Sequence, residues 1–263
     1  METIEPNTLR QKTLRLRLKL ISCEVLVYAA HRAIIESGDF VSPVFLPKDS
    51  HNKPDELKKT IQTLIDEASE GDEFDAILLG YGLCGNSILG LTARSVPLIV
   101  PRAHDCCTLF LGSTARFKSL FGENLSTPWT SPGYIGSSGK AFHEAAEDYL
   151  LGRDRSIENL AAEYGEENAR YVLEMLSAGK RADTAYFITD PEMDNDAFLE
   201  SAREKTGEEG TELNILEGDA RLITGLILGD WIRENGEYLL VRPGERIEGV
   251  YDHDQVITAK KAF

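Results

Sequence analysis

Apolar and polar positions along the first hundred residues switch between two periods. Residues 16–22, LRLKLIS, put leucine at every second position, the period of a strand with one solvated face. EVLVYAAHRAIIESG then repeats its apolar residues at helical spacing and stops at Gly38. Residues 40–47, FVSPVFLP, read as a strand, and Pro43 predicts an edge position because it cannot donate to a ladder. PDELKKTIQTLIDEASEG opens on Pro54, carries Asp55 and Glu56 in its first turn and sets Leu57, Ile61, Leu64 and Ile65 on one face, a helix by each criterion. FDAILLG (74–80) and VPLIVP (96–101) are short apolar runs with the pattern of strands covered on both sides. Alternating units of this kind predict an α/β fold with a doubly wound parallel sheet, Rossmann or flavodoxin-like.

The second half changes character. Residues 121–140, FGENLSTPWTSPGYIGSSGK, have no periodicity and read as a long loop carrying Trp129 and Tyr134, suited to closing over a site. A helical region over 141–179 follows, then a second α/β set: strands at 184–189, 212–216 and 237–243, with helices at 194–205 and 219–234. This organisation predicts an N-terminal α/β lobe (1–125), a loop and helical connection (126–180) and a second, smaller α/β lobe (181–263). One continuous domain is the rival.

Charge narrows the partners. Against 28 basic side chains stand 44 acidic ones, a formal charge of -16, so the chain lacks the electrostatic footprint of a nucleic-acid binder. Its one basic run, Arg10, Lys12, Arg15, Arg17 and Lys19, alternates with leucines and reads as the wet face of a strand. The start, METIEPNTLRQK, has no apolar signal core, and no stretch approaches the roughly 20 apolar residues of a membrane span. Export and membrane insertion are not expected. Four cysteines in such a chain point to thiols or ligands in the reducing cytoplasm rather than to a disulfide framework.

The positions of those cysteines carry the main functional signal. In an open parallel sheet, ligands bind beyond the carboxyl ends of the strands. Cys23 follows the first strand, His51 the second, Cys84 the third, and His104, Asp105 and Cys106 the fourth. A single buried cysteine usually packs as a small hydrophobe, but inert cysteines have no reason to gather at strand ends. Cys107 is assigned to the core, and His31, His143 and His253 to surface or core roles. Three thiolates with an imidazole, His51 or His104, suit zinc or an iron–sulfur cluster. With four protein ligands the site is closed and structural; with one position open it supports catalysis. Asp105 and Glu24 are the carboxylates that would orient an imidazole or move a proton.

Two other readings use the third strand. GYGLCG (80–85) matches G-x-G-x-x-G and would let Gly82, Gly85 and Asn86 cradle a nucleotide phosphate at a helix starting near Asn86. That helix would also lower the Cys84 pKa and make it a nucleophile.

ILLGYGLCGNSILGL, PLIVPRAHDC with TLFLGS behind it, LISCEVL and SHNKPDEL together resemble a prokaryotic family known as a domain of unknown function, often encountered near corrinoid-dependent methyltransferase genes in anaerobes. The resemblance is concentrated between Cys23 and Ser113, with echoes at Thr127–Gly133 and Arg242–Gly244. It singles out Cys23, His51, Cys84, Asn86, Arg102, Asp105 and Cys106, and implies an acid in place of His104. It also implies a one-carbon or cofactor-related context, with a corrinoid as a possible cofactor and a corrinoid or methyltransferase protein as partner.

These readings combine into one expectation: a metalloprotein whose site assists methyl, one-carbon or sulfur transfer, with Arg102 and Asn86 holding an anionic small-molecule substrate. A non-catalytic metal or corrinoid delivery protein, a nucleotide-binding protein and a purely structural use of the thiols are the alternatives.

Overall fold

A computed structural model describes residues 15–122, 127–138, 142, 161, 165, 183–233, 236–250 and 255–262. Strand β1 (Arg17–Cys23) keeps its alternation through Leu20, with Leu18 and Leu20 buried, and is then buried continuously to Cys23. A 3-10 turn (Glu24–Leu26) leads into helix α1 (Val27–Ser37), which ends at Gly38 in the left-handed region at φ 67°. Strand β2 (Phe40–Leu46) and a second 3-10 turn (Lys48–Asn52) precede helix α2 (Pro54–Ala68). Pro54 starts α2, and Leu57, Ile61, Ile65 and Ala68 are its buried stripe. Strands β3 (Ala76–Gly80) and β4 (Leu98–Pro101) are buried at every residue.

These strands form the main sheet in the order β2-β1-β3-β4, all parallel, and strand β8 (Tyr238–Val241) closes the far edge antiparallel to β4. β2 is an edge strand, as Pro43 requires. The order in which the chain fills the sheet reverses between β1 and β3.

The remaining elements depart from the sequence pattern in three places. Residues 121–140 are not one long loop: helix α4 (Thr114–Phe121), strand β5 (Trp129–Thr130) and helix α5 (Pro132–Ser138) occupy the described part, and Trp129 and Tyr134 are each 4% exposed. Turn-forming Gly, Ser and Pro concealed a strand of only two residues. That strand belongs to a second parallel sheet, β5-β6-β7, with β6 (Thr184–Ile188) and β7 (Glu212–Leu216) separated by helix α6 (Asp196–Glu209). The strand expected at 237–243 in the second lobe is instead β8 of the main sheet, since Leu239 and Val241 complete the apolar cover of β4. Finally, Cys23 ends β1 rather than following it. Helix α3 (Cys106–Leu111), helix α7 (Arg221–Leu228), a third 3-10 turn (Asp230–Arg233) and the β9–β10 pair (Glu245–Gly249, Ile257–Lys261), a third sheet, complete the described elements. The basic positions Arg10 and Lys12, most of the helical region at 141–179, His143 and His253 lie outside the described residues.

One apolar core runs through both parallel sheets, from Leu18 and Ile77 to Trp129, Tyr134 and Ile188. Three close contacts draw the second sheet onto the carboxyl end of β1. Arg32 of α1 donates to both carboxylate oxygens of Asp190 at 3.1 Å and pairs with Glu192 at 2.8 Å. Gly133 of α5 lies where a Cβ would be 2.5 Å from the Val25 carbonyl oxygen, and Lys48 sets its ammonium 3.9 Å from the centre of the Tyr134 ring.

Ser22 and Gly80 are register partners on β1 and β3, and Ser22 Oγ donates to the Gly80 carbonyl at 3.3 Å. A Cβ at position 80 would stand 2.7 Å from Ser22 Cβ. Gly80→Ala therefore costs about 1–3 kcal/mol by overpacking, and adding Ser22→Gly recovers part of the loss; urea unfolding of the two variants measures both.

Candidate functional site

The site begins with a backbone contact. Past β3, Leu83 N–H donates to the Ala103 carbonyl at 3.0 Å and Cys84 N–H to the His104 carbonyl at 3.2 Å, which continues the pairing of β3 and β4 beyond the sheet. Gly82 permits the approach: a Cβ there would lie 2.6 Å from Asp105 N and 2.7 Å from Asp105 Cα. Cys84, Gly85 and Asn86 then take left-handed φ of 43°, 66° and 68°, and turns continue to Gly90. The helix expected near Asn86 does not form, because three successive left-handed residues cannot enter a right-handed helix. GYGLCG thus lacks the helix amino terminus that both the phosphate cradle and the activated Cys84 nucleophile relied on.

The thiols meet through Cys106. This residue opens α3 directly after its N-cap Asp105, whose Oδ1 accepts from Thr108 N–H at 3.0 Å and from Thr108 Oγ1 at 3.2 Å. From there the Cys106 thiol is hydrogen-bonded to both Cys23 and Cys84. Donation from Cys106 pulls the Cys23 pKa down, further helped by the Val25 N–H and by the Lys48 ammonium against the opposing effect of burial. Its two thiol partners and burial push Cys106 well up, so the middle thiol holds its proton while the same contact eases ionisation of Cys23. Cys23 is 6% exposed at the floor, whereas Cys84 and Cys106 keep partial access to solvent. All four cysteines are free, and Cys107 is fully buried in the core with its pKa raised by burial.

The remaining candidates fall on either side of this chain of thiols. Glu24 Oε1 accepts from Lys48 N–H at 3.0 Å, tying the end of β1 to that of β2, and its charge acts on Cys23. The His51 ring contacts the Lys48 carbonyl, and the His51 main chain lies beside Gly85. His104 stacks on Phe117 with ring centres 5.5 Å apart, and Arg102 donates to the carbonyls of Gln255 and Ile257, which anchors the C-terminal strand. His31 lies tilted against Phe45 with ring centres 5.3 Å apart. Among the described residues, no group of three or more His, Cys, Asp or Glu side chains is spaced to hold a metal ion. The thiols are paired through Cys106 rather than gathered about one point.

Sequence reading missed two residues here, Tyr81 and Lys48. Tyr81, 2% exposed, has a hydroxyl with no hydrogen-bond partner among the described residues, while Cys23, Cys84, Cys106 and Glu24 all act on it electrostatically. Burial first, and these groups after it, raise its pKa well beyond the usual phenol range, so it remains a donor. An unsatisfied buried hydroxyl costs about 1–3 kcal/mol. Lys48, 3% exposed, and Tyr134 form the adjoining wall. The signal was present in the sequence: Tyr81 is the one bulky residue between two glycines at a strand end, and Lys48 follows β2.

A mixed α/β fold with a thiol-bearing edge on a mainly parallel sheet is the class these features define. Within it, the family described as "Protein of unknown function (DUF1638)" matches residues 45–227, and the chain belongs to that family. No curated protein and no solved structure matches the chain. No helix among the described residues is long and apolar enough to cross a membrane.

Burial pushes the Asp105 carboxyl up to about 6, against the hydrogen bonds from Thr108. It is protonated when folded and ionised when unfolded between roughly pH 4 and 6, so its contribution to stability is full below that window and is lost as the pH rises through it. In urea melts across this range, wild type loses stability relative to Asp105→Asn, which retains a capping oxygen. Iodoacetamide modification of the native chain, followed by mass spectrometry, labels the partly accessible Cys84 ahead of Cys106, whose raised pKa keeps it protonated, and labels Cys107 only on unfolding.

Proposed function

We propose that Cys23, Cys84 and Cys106 form a soft-metal site, for zinc or an iron–sulfur cluster, and that DUF1638 chains of this type act on or deliver a small molecule there. The observation that carries this reading is the meeting of three thiols, from the end of β1, the turn after β3 and the start of α3, at the Cys106 sulfur. Cys107 is fully buried in the apolar core, whereas Cys84 and Cys106 pack against that core with partial access to solvent. Metal binding there would displace the Cys106 proton and let all three sulfurs turn to one centre.

His51 is the preferred fourth ligand, since its loop borders the Cys84 turn, whereas the His104 ring is taken up against Phe117. A bound metal with one position open would polarise a substrate or keep a bound thiol nucleophilic. In this reading Asp105 holds α3 and so Cys106 in place, and Glu24 fixes the neighbouring loop and carries the carboxylate able to accept a proton. The doubly wound reading of the main sheet belongs with it: the β2-β1-β3-β4 order puts the thiols over the β1/β3 reversal, where such sheets bind ligands. Methyl or one-carbon transfer with a corrinoid partner rests on the family resemblance, and a cytoplasmic setting on four free thiols.

Metal analysis and visible spectroscopy of anaerobically purified protein test the site. One zinc per chain without colour, or iron with sulfide-to-iron absorbance, is the expected result. Cys106→Ser lowers metal affinity by at least about 100-fold, beyond the 10–100-fold that loss of an outer partner costs, and Cys107→Ser retains the metal. Wild-type protein that neither carries nor takes up metal overturns the proposal. With metal present, turnover of a methyl donor separates an enzyme from a delivery protein.

A further inference from the structure

Cys106 is hydrogen-bonded to two other thiols, and each contact joins one pair of sulfurs. A tetrahedral metal would hold every sulfur about 2.3 Å from one common point. Among the described residues, no group of His, Cys, Asp or Glu has that spacing as it stands. Pairwise contact through a shared middle sulfur is instead what thiol–disulfide exchange uses, since exchange needs one thiol beside another and no common centre. All of these cysteines are free. The backbone already holds Cys84 beside Cys106: Cys84 N–H donates to the His104 carbonyl at 3.2 Å, Gly82 brings the two loops together at Asp105, and Asp105 caps the helix that Cys106 opens. Access orders the three. Cys84 is partly open and the next two residues, Gly85 and Asn86, are exposed, whereas Cys23 lies at the floor in a strand paired with both β2 and β3.

We propose that Cys84 and Cys106 form a reversible disulfide by exchange with a small-molecule disulfide, and that this bond closes the thiol site to metal. The bond rests on the sulfur contacts alone, and the closing of the site rests on the metal reading above. In the first step the Cys84 sulfur attacks one sulfur of the incoming disulfide, which forms a mixed disulfide and releases one small thiol carrying the Cys84 proton. Cys106 then attacks the Cys84 sulfur, which closes the internal bond and releases the second small thiol with the Cys106 proton. Two protein thiols are oxidised and one small disulfide is reduced to two thiols, so electrons and protons balance. Cys23 keeps its thiol because its burial puts it out of reach of a disulfide in solution. Once the bond is closed, two of the three sulfurs are no longer available as thiolate ligands.

Treatment of the full chain, stripped of metal with a chelator, with oxidised glutathione tests the bond; remaining thiols are then alkylated with iodoacetamide in urea and mapped by mass spectrometry. The expected product is one cross-linked peptide pair joining Cys84 and Cys106, with Cys23 and Cys107 alkylated, and dithiothreitol reverses it. In Cys106→Ser the reaction stops with glutathione on Cys84, because the second sulfur is gone. Oxidised wild type loses zinc uptake and regains it on reduction. Alkylation of both Cys84 and Cys106 after treatment of the native chain, glutathione that stays on Cys84 in wild type, or zinc uptake that the bond leaves unchanged would each overturn the proposal. A reversible Cys84–Cys106 bond in a chain that takes up no zinc in either state upholds the exchange and removes the metal reading. Zinc uptake by a chain that forms no such bond does the reverse.

Discussion

Backbone pairing beyond the ends of β3 and β4 governs much of the site. Leu83 and Cys84 donate to Ala103 and His104, and the absence of a side chain at Gly82 lets the two loops touch at Asp105. This contact puts the Cys84 turn beside the first residue of α3. Without it, Cys84 and Cys106 would leave their strands independently, and the shared proton of Cys106 would have one partner fewer. The left-handed run through Cys84, Gly85 and Asn86 completes the arrangement by turning the chain back instead of launching a helix.

The second parallel sheet finishes the surroundings from the other side. Gly133 brings α5 against Val25, the residue whose N–H also lowers the Cys23 pKa, and Tyr134 covers Lys48. Arg32 and Asp190 hold α1 to the loop after β6 with a two-oxygen contact, so the sheets approach at the end where the thiols lie.

Thiol chemistry and positioning are divided among the residues near Cys106. Asp105 caps α3 through Thr108, His104 anchors the loop on Phe117, and Arg102 ties the same segment to the C-terminal strand. Residues read in sequence as a possible ligand (His104), a carboxylate that orients an imidazole or moves a proton (Asp105) and a substrate contact (Arg102) also hold in place the segment that presents the thiol. Only Cys106 of this segment faces the other cysteines.

Periodicity alone determined the strongest elements: β1, α1, β2 at an edge, α2, and the two fully buried strands, because each declares its burial in local residue order. The same reading placed Cys23, Cys84 and Cys106 at one sheet edge, since a parallel sheet leaves its carboxyl ends together. Tertiary structure alone decided the rest. A two-residue strand at Trp129 has no period to detect, β8 earned its place through apolar contact with a strand distant in sequence, and the direction of the His104 and Arg102 side chains depended on Phe117 and on the C-terminal strand. Tyr81 and Lys48 join the thiols for the same reason: burial and partnership are properties of neighbours that the chain brings together only when it folds.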